Sequence, residues 1–469
     1  MEQPNTNTGT PSLSMSKSAT SSSISPATFI FSLVIILPCL AAVLAAYGLA
    51  PQRADTIGVD LGTTFSVVAY KDPMTKKIIM VPSDGKATSK TGTSHFLTPS
   101  VVAAHVSNQN VLVGRKAMEH LQSSPKTTVY NAKRLIGRTY DDVSSDTSLA
   151  SMPFDFGPVD THAYCAYLLL PLKRWRCFLP GKCTLEQSSY DACLGKKSVA
   201  GFVLDSSTTM SPVQVAAHVV RSMSRAVDTF LGHKNARKAI IAVPAQFNAA
   251  QREATAESFR SAGIRVVNML EEPTAAAIAY GLQNQPHVHN VLVYDFGGGT
   301  LDVSLLWMHV GSVQVIGTDG DSNLGGSDFD KCMVRIISNE KNGGLDQCSE
   351  SKMRKIAEDA KKELSSRDSM IVSCGDGIHL SSLQKMEVTR LMFEKECDEL
   401  FQRGIIPVER LLENHNMLKS EIDEVVLVGG TTRIPRVKEM LKVFFDGRAP
   451  KDDIDPDLAV AYGAAMFSA

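Results

Sequence analysis

Charge imbalance is the first thing this chain does without. Lys plus Arg number 48 against 49 for Asp plus Glu, a net charge of −1, so composition implies no general nucleic-acid or acidic-surface partner. No Asn-x-Ser/Thr acceptor occurs anywhere, and the C-terminal AYGAAMFSA carries no luminal retention tetrapeptide. None of the nine cysteines stands in C-x-x-C spacing, which removes the common zinc frameworks. Their count is odd and Cys39 lies in an apolar run. Cys165, Cys177, Cys183 and Cys193 cluster, as free thiols or, in an oxidising compartment, as disulfides.

Charge is also missing from Ser18 to Gln52. Residues 1–26, rich in Ser, Thr, Asn and Pro, cannot bury a core and are expected to be a disordered leader. Residues 27–50, ATFIFSLVIILPCLAAVLAAYGLA, are long enough to cross a hydrocarbon layer even with Pro38 inside. They are expected to be a signal anchor or a cleaved signal peptide. Ala45 with Val43 makes a passable cleavage site, whereas cleavage after Ala50 would place Pro51 beside the scissile bond.

What is present centres on VLVYDFGGGTLDVSLL, Val291 to Leu306. An apolar strand ends in Asp295, turns through Gly297, Gly298, Gly299 and Thr300, and resumes with Asp302 just beyond. Consecutive glycines let backbone N–H groups approach an oxyanion, and the carboxylates suit a hydrated magnesium ion. A second hairpin, TIGVDLGTTFSVVAY, repeats the plan with Asp60, Gly62, Thr63, Thr64 and Phe65. Two such turns suggest two similarly built halves pinching a polyphosphate.

Between them strand and helix signals alternate, as α/β architecture requires. KAIIAVP (238–244) and 266–270 are expected as strands, 249–262 and 273–282 as helices. Later, a strand over 424–428 leads through Gly429 and Gly430 to a helix opening near Pro435, a third place where bare backbone could meet a ligand.

The segments GVDLGTTFSVV, NAKRLIGR, EEPTAAAIAYGL, VYDFGGGTLDVSLL, NLGGSDFD, AEDAKKELSS and EIDEVVLVGGTTRIPRV resemble the signature runs of the heat-shock-protein-70 ATPase domain. The likeness is strongest to the microsomal, ATPase-core branch of that family. It implies an α/β, two-lobed actin-like ATPase fold with duplicated ribonuclease-H-like subdomains and a nucleotide cleft between lobes. Lobe I is expected over 55–285, lobe II over 286–451, and a helix returning to lobe I over 452–469. The implied ligands are ATP or ADP and Mg2+, with K+ as a further ion.

On matching positions the resemblance implies that Asp60 and Asp295 hold magnesium-bound waters. Gly62, Thr63, Thr64 and Phe65, with Gly297, Gly298, Gly299 and Thr300, would wrap the phosphates. Lys133 stands beside the γ-phosphate, and Glu272 and Thr300 near the attacking water, with Asp302 close by and Glu271 a structural neighbour. Glu358, Lys361 and Ser365 share one helix face and would meet adenine and ribose, with Lys362 where the family commonly has arginine. Gly429, Gly430, Arg433 and Asp457 would close the other side.

Residues 159–197 depart from the family pattern and read as an insertion or a misread splice boundary. The stretches between Cys332 and Ser351 and after Ser366 look shortened. No peptide-binding sandwich or lid follows, so ATP hydrolysis without autonomous peptide clamping is expected. The setting implied is the endoplasmic reticulum lumen, membrane-attached if residues 27–50 are retained. The partners implied are a J-domain co-chaperone, a nucleotide-exchange factor or a client, and no nucleic acid. A non-catalytic nucleotide sensor is the alternative of different class. A small-molecule kinase is a third, disfavoured by EEPTAAAIAYGL and VLVGGTTRIP.

Overall fold

Two β-hairpins of one plan each seed a sheet. The computed structural model describes residues 53–86, 92–104, 111–121, 123–146, 149, 154–159, 199–204, 209–309, 311–339, 345, 348–374 and 385–468. The expectations for the apolar run and for 160–198, with the four cysteines there, fall outside the described residues. Among the described residues no helix is long and apolar enough to cross a membrane.

In the first half, lobe I, β1 (Thr56–Leu61) returns antiparallel as β2 (Phe65–Lys71), with Asp60 opposite Val67. β3 (Ile78–Met80) and β4 (Thr98–Pro99) both pair with β2. A small sheet follows from β5 (Val102–Ala104), β6 (Val111–Val113) and β7 (Thr128–Val129), and another from β8 (Asp155–Val159), β9 (Val199–Val203) and β10 (Thr209–Met210). β8 and β9 pair antiparallel with Val159 opposite Val199, so the chain leaves for 160–198 and returns at neighbouring positions. β11 (Lys238–Val243) then runs parallel beside β1, Asp60 opposite Ala242, and β12 (Arg265–Glu271) runs parallel beside β11.

Lobe II repeats the arrangement. β13 (Asn290–Phe296) turns into β14 (Leu301–His309) and β15 (Ser312–Asp321), and β18 (Glu424–Val428) lies parallel to β13 with Asp295 opposite Val428. β16 (Ser369–Ser373) and β17 (Lys385–Thr389) form a separate hairpin. Antiparallel hairpin plus parallel neighbour occurs in both sheets. Each aspartate thereby sits near the carboxyl end of a central strand, where open α/β sheets bind ligands.

The helices are α1 (Arg115–Leu121), α2 (Tyr140–Ser144), α3 (Pro212–Leu231), α4 (Ala249–Ser261), α5 (Glu272–Ala279), α6 (Gly326–Ser338), α7 (Glu350–Leu364), α8 (Arg390–Glu396), α9 (Asp398–Asn414), α10 (Pro435–Phe444) and α11 (Ala459–Met466). Local sequence explains the starts of two of the longer ones. Ser211 and Gln214 cap α3 reciprocally, and Asn248 and Gln251 do the same for α4. α5 stops at Ala279 rather than running on to Leu282. Gly281, at φ 65°, turns the chain into a single 3-10 turn over Leu282–Asn284.

Each lobe has its own apolar core. A third core joins them, in which Ile240 and Ala242 of one sheet and Val291, Val293, Val426 and Val428 of the other pack around Ala275–Ile278 of α5 and Val460 and Ala464 of α11. Small side chains are what let two helices and two sheets converge there. Gly463 on α11 is so close to α5 that a Cβ would lie 1.8 Å from the Ala275 carbonyl oxygen, and one on Gly58 would lie 2.2 Å from the Ala465 nitrogen.

Lobe II is also cross-linked. Cys332 on α6 is disulfide-bonded to Cys397 at the start of α9, and Cys348 to Cys374, with Cα separations of 6.0 and 5.6 Å. Both lie inside the usual range for a disulfide. Neither pairing was legible beforehand, because cysteine spacing alone does not fix connectivity.

Candidate functional site: a cleft between paired Asp-x-Gly turns

Both hairpin turns open on one cleft of about 530 Å³. β1 delivers Asp60 and the turn Gly62, Thr63, Thr64 and Phe65; β13 delivers Asp295 and the turn Gly297 to Thr300. Asp302 enters from β14, paired with Asp295 across the hairpin. The two parallel neighbours contribute at equivalent places, Pro244 and Gln246 after β11, Gly429 and Gly430 after β18.

Missing side chains allow the close approaches. A Cβ on Gly298 would stand 2.7 Å from Thr64 Oγ1, so the two turns nearly touch. Gly429 is at φ +81°, and a Cβ there would lie 2.8 Å from Asp295 Oδ1. The lobe II turn is braced from behind. The Gly297 carbonyl accepts from Gly326 N–H (3.1 Å) and Thr431 Oγ1 (2.8 Å), and the Gly298 carbonyl from Ser327 N–H (2.9 Å). Those carbonyls are thereby turned away from the cleft. This suits a turn meant to present its donors to an anion.

Electrostatics concentrate on the cleft floor. Lys133 donates to Glu272, and their side chains are only 13% and 15% exposed. Burial alone would pull the Lys133 ammonium down, but Glu272 and then Asp60 more than offset it and hold it above the usual lysine value. Burial pushes the Asp60 carboxyl up to about 7 against the pull of Lys133, with Glu272 and Asp457 adding to the rise. Asp302 rises to about 6, chiefly by burial and then by Glu272. Asp295 stands well above the ordinary range, by burial and then by the repulsion of Glu272, Asp302 and Asp60. One lysine cannot balance this set, so the residues fit a divalent cation with oxygen ligands. Among the described residues no three such side chains converge as a direct metal cage.

A pH dependence follows. Asp60 and Asp302 hold protons in the folded, metal-free protein that the unfolded chain releases between about pH 4 and 7. The unfolded state binds fewer protons there, so stability should fall as pH rises through that window. Melts in a chelator should therefore drop by about 5 °C or more from pH 5 to pH 8. Mg2+ favours the ionised carboxylates, so it should raise the melting temperature more at pH 8 than at pH 5. Equal Mg2+ shifts at both pH values would contradict the assignment.

The structure does not bring every expected residue to this cavity. Glu358, Lys361, Lys362, Ser365 and Arg433 are not among the side chains lining it. Lys362 pairs with Glu358, and Ser365, the C-cap of α7, donates to the Lys361 carbonyl. Lys361 turns inward to Asp330 (2.6 Å) and donates to the Gly326 carbonyl (2.9 Å), so it braces the residue that braces the glycine turn. Arg433 holds Asp455 and, at 2.8 Å, Asp457. Asp457 itself lines the cleft beside Gly430. The helix expected near Pro435 opens there as α10, after a 3-10 turn over Gly430–Arg433. Glu271 faces Arg252 at 3.0 Å, outside the cavity lining.

Three contributors were not visible in the sequence. Gln246 Nε2 donates to Asp302 Oδ1 (3.2 Å), Thr431 reaches back to Gly297, and Arg134 crosses the cleft to Gly299. Gln246 had a signal, since it follows β11 as Gly429 and Gly430 follow β18. The other two act on backbone carbonyls, which leave no mark in side-chain spacing.

A family model described as Hsp70 protein matches residues 56–165 and 187–469. The break, 166–186, falls inside the stretch that departs from the family pattern, and every element of the cleft lies within the matched residues. Members of that family have the actin-like ATPase fold and bind ATP or ADP with Mg2+ in a chaperone core. The repeated sheets, the facing Asp-x-Gly turns and the matched length together place this chain in the Hsp70 family.

Proposed function

We propose that this chain hydrolyses ATP to ADP and phosphate in the cleft, and that it works as an ATPase core in protein processing in the endoplasmic reticulum lumen. The observation that carries the catalytic part is the floor of the cleft, where Lys133 stands among Asp60, Asp295 and Glu272 between two phosphate-sized glycine turns.

Each residue then has a task. The turns Gly62–Thr64 and Gly297–Thr300 bind the phosphates from opposite lobes and hold the reacting group in line. Lys133 offsets negative charge on the transferring phosphoryl group. Glu272 keeps Lys133 in place and, with Thr300, orients the attacking water. Asp60 and Asp295 would hold Mg2+. When bound, the ion neutralises charge on the phosphate oxygens. Glu358, Lys361, Lys362 and Ser365 form the nucleoside side in this reading, with Arg433 opposite.

The test is single-turnover release of phosphate from MgATP. Release no faster with the protein than without it would replace the enzyme with a nucleotide-sensing module, and ATP-dependent phosphorylation of a metabolite would indicate a kinase.

Two observations favour the luminal setting. The uncharged segment 27–50 can direct or anchor the chain, and two disulfides in lobe II belong with an oxidising compartment. In sealed microsomes the C-terminus should resist protease until detergent is added. Digestion without detergent would overturn this assignment. J-domain proteins, exchange factors or clients are the partners this reading implies, and the relation to the microsomal ATPase-core branch belongs to the same proposal.

A further inference from the structure

Arg134 follows Lys133 in the short 3-10 turn Ala132–Arg134, yet its head leaves lobe I altogether. Its Nη2 donates to the Gly299 carbonyl (2.7 Å), in the phosphate turn of lobe II, and to the Ser322 carbonyl (3.1 Å), in the connection from β15 to α6. Gly299 makes room for it, since a Cβ there would lie 2.8 Å from Nη2. The base of the side chain is fixed in lobe I. Asn131, in the left-handed region at φ 57°, starts the turn, and the Arg134 carbonyl accepts from Arg138 Nη1, which Asp146 holds at 2.8 Å. One donor is left over. Arg134 lines the cleft, and its Nε is buried without a hydrogen-bond partner. Nη2 has committed both its hydrogens to the two lobe II carbonyls, so Nε–H is the donor left for an oxyanion, and a buried donor left unmatched is costly.

We propose that Arg134 latches the two lobes across the cleft. Its Nη2 holds the lobe II phosphate turn against lobe I, and its unmatched Nε–H is completed by a terminal phosphate oxygen. The latch is then strongest while the terminal phosphoryl group, or the inorganic phosphate it becomes, is in place. This rests on the ATP reading for the identity of the anion, but the cross-lobe contact exists without it.

Two measurements separate the proposals. The first follows dissociation of a fluorescent ADP with Mg2+, with and without added inorganic phosphate. The wild type should release it about tenfold more slowly when phosphate is present, the scale of one charge-assisted hydrogen bond. Arg134→Met should release ADP quickly and lose the phosphate effect, and methylguanidine should restore it in part. Arg134→Lys, which keeps the charge but not the fork, should also lose the effect and covers the case in which Arg134→Met does not fold. The second uses no nucleotide. Fluorophores on non-native residues placed at the exposed positions Met118 of lobe I and Leu391 of lobe II should report a wider distance distribution in the variants. If fluorescent ADP does not bind the wild type, the ATP reading falls and the distance measurement alone decides the latch. An unchanged phosphate effect in both variants, or unchanged distances, overturns the proposal.

Discussion

Replacing Lys133 by alanine should slow single-turnover ATP hydrolysis by about 10²–10³-fold, the usual cost of removing a preorganised charge from a developing anion, while ADP affinity changes much less. The split is expected because hydrolysis concentrates charge where Lys133 stands, whereas ADP binding relies on the glycine turns as well. Lys133 is also the cation against which Glu272, Asp60 and Asp295 are set. Its removal leaves Glu272 without its buried partner, and breaking such a pair costs roughly 3–5 kcal/mol where nothing relaxes. Asp60 and Asp295 can take up protons instead, since burial already raises both in the folded state. Lys133→Met combined with Glu272→Gln keeps the volume and removes the stranded charge. If the double variant folds like the wild type and still hydrolyses ATP at the wild-type rate, Lys133 is not the charge-stabilising group.

Substituting Gly463 by alanine should be the most damaging single change away from the cleft. The added Cβ would lie 1.8 Å from the Ala275 carbonyl oxygen and 2.6 Å from its carbon, so α11 must shift away from α5. Backbone cannot yield as a long side chain can, and overpacking of this kind costs about 1–3 kcal/mol or more. α11 also packs on β1, with Gly58 meeting Ala465, and the core it belongs to is shared by both sheets. Loss of stability should therefore come with altered closure of the cleft. The expected readouts are a melting temperature lower by several degrees and weaker nucleotide binding, although no cleft residue has changed. Wild-type melting and binding in Gly463→Ala would mean that the two helices adjust independently of the lobes. Ala461 is as buried, and Ala461→Gly, which removes volume instead of adding it, serves as the contrasting control.

The residues proposed to touch phosphate were legible because their chemistry is local. Asp60 with Gly62–Thr64 and Asp295 with Gly297–Thr300 each form a complete turn within a few residues, and both line the cleft. The strands expected over 238–244, 266–270 and 424–428 and the helix expected over 249–262 formed within a residue of those bounds. The nucleoside side was less legible. Glu358, Lys361 and Ser365 share a helix face by spacing, but spacing does not say that Lys361 turns inward to Asp330 and Gly326.

By itself, then, the sequence determined the α/β class and the two matched turns with their aspartates, because periodicity and turn chemistry act over neighbours, while Lys133 and Glu272 were singled out by the family resemblance. Only the tertiary structure decided that the two turns face each other, that Asp60, Asp295 and Asp302 are buried deeply enough to hold protons, and that four lobe II cysteines pair. It also decided that Arg134 bonds to a carbonyl far along the chain. These depend on burial and on contacts between residues distant in sequence. The packing of Gly58, Ala275 and Gly463 sets them by bringing the two sheets together.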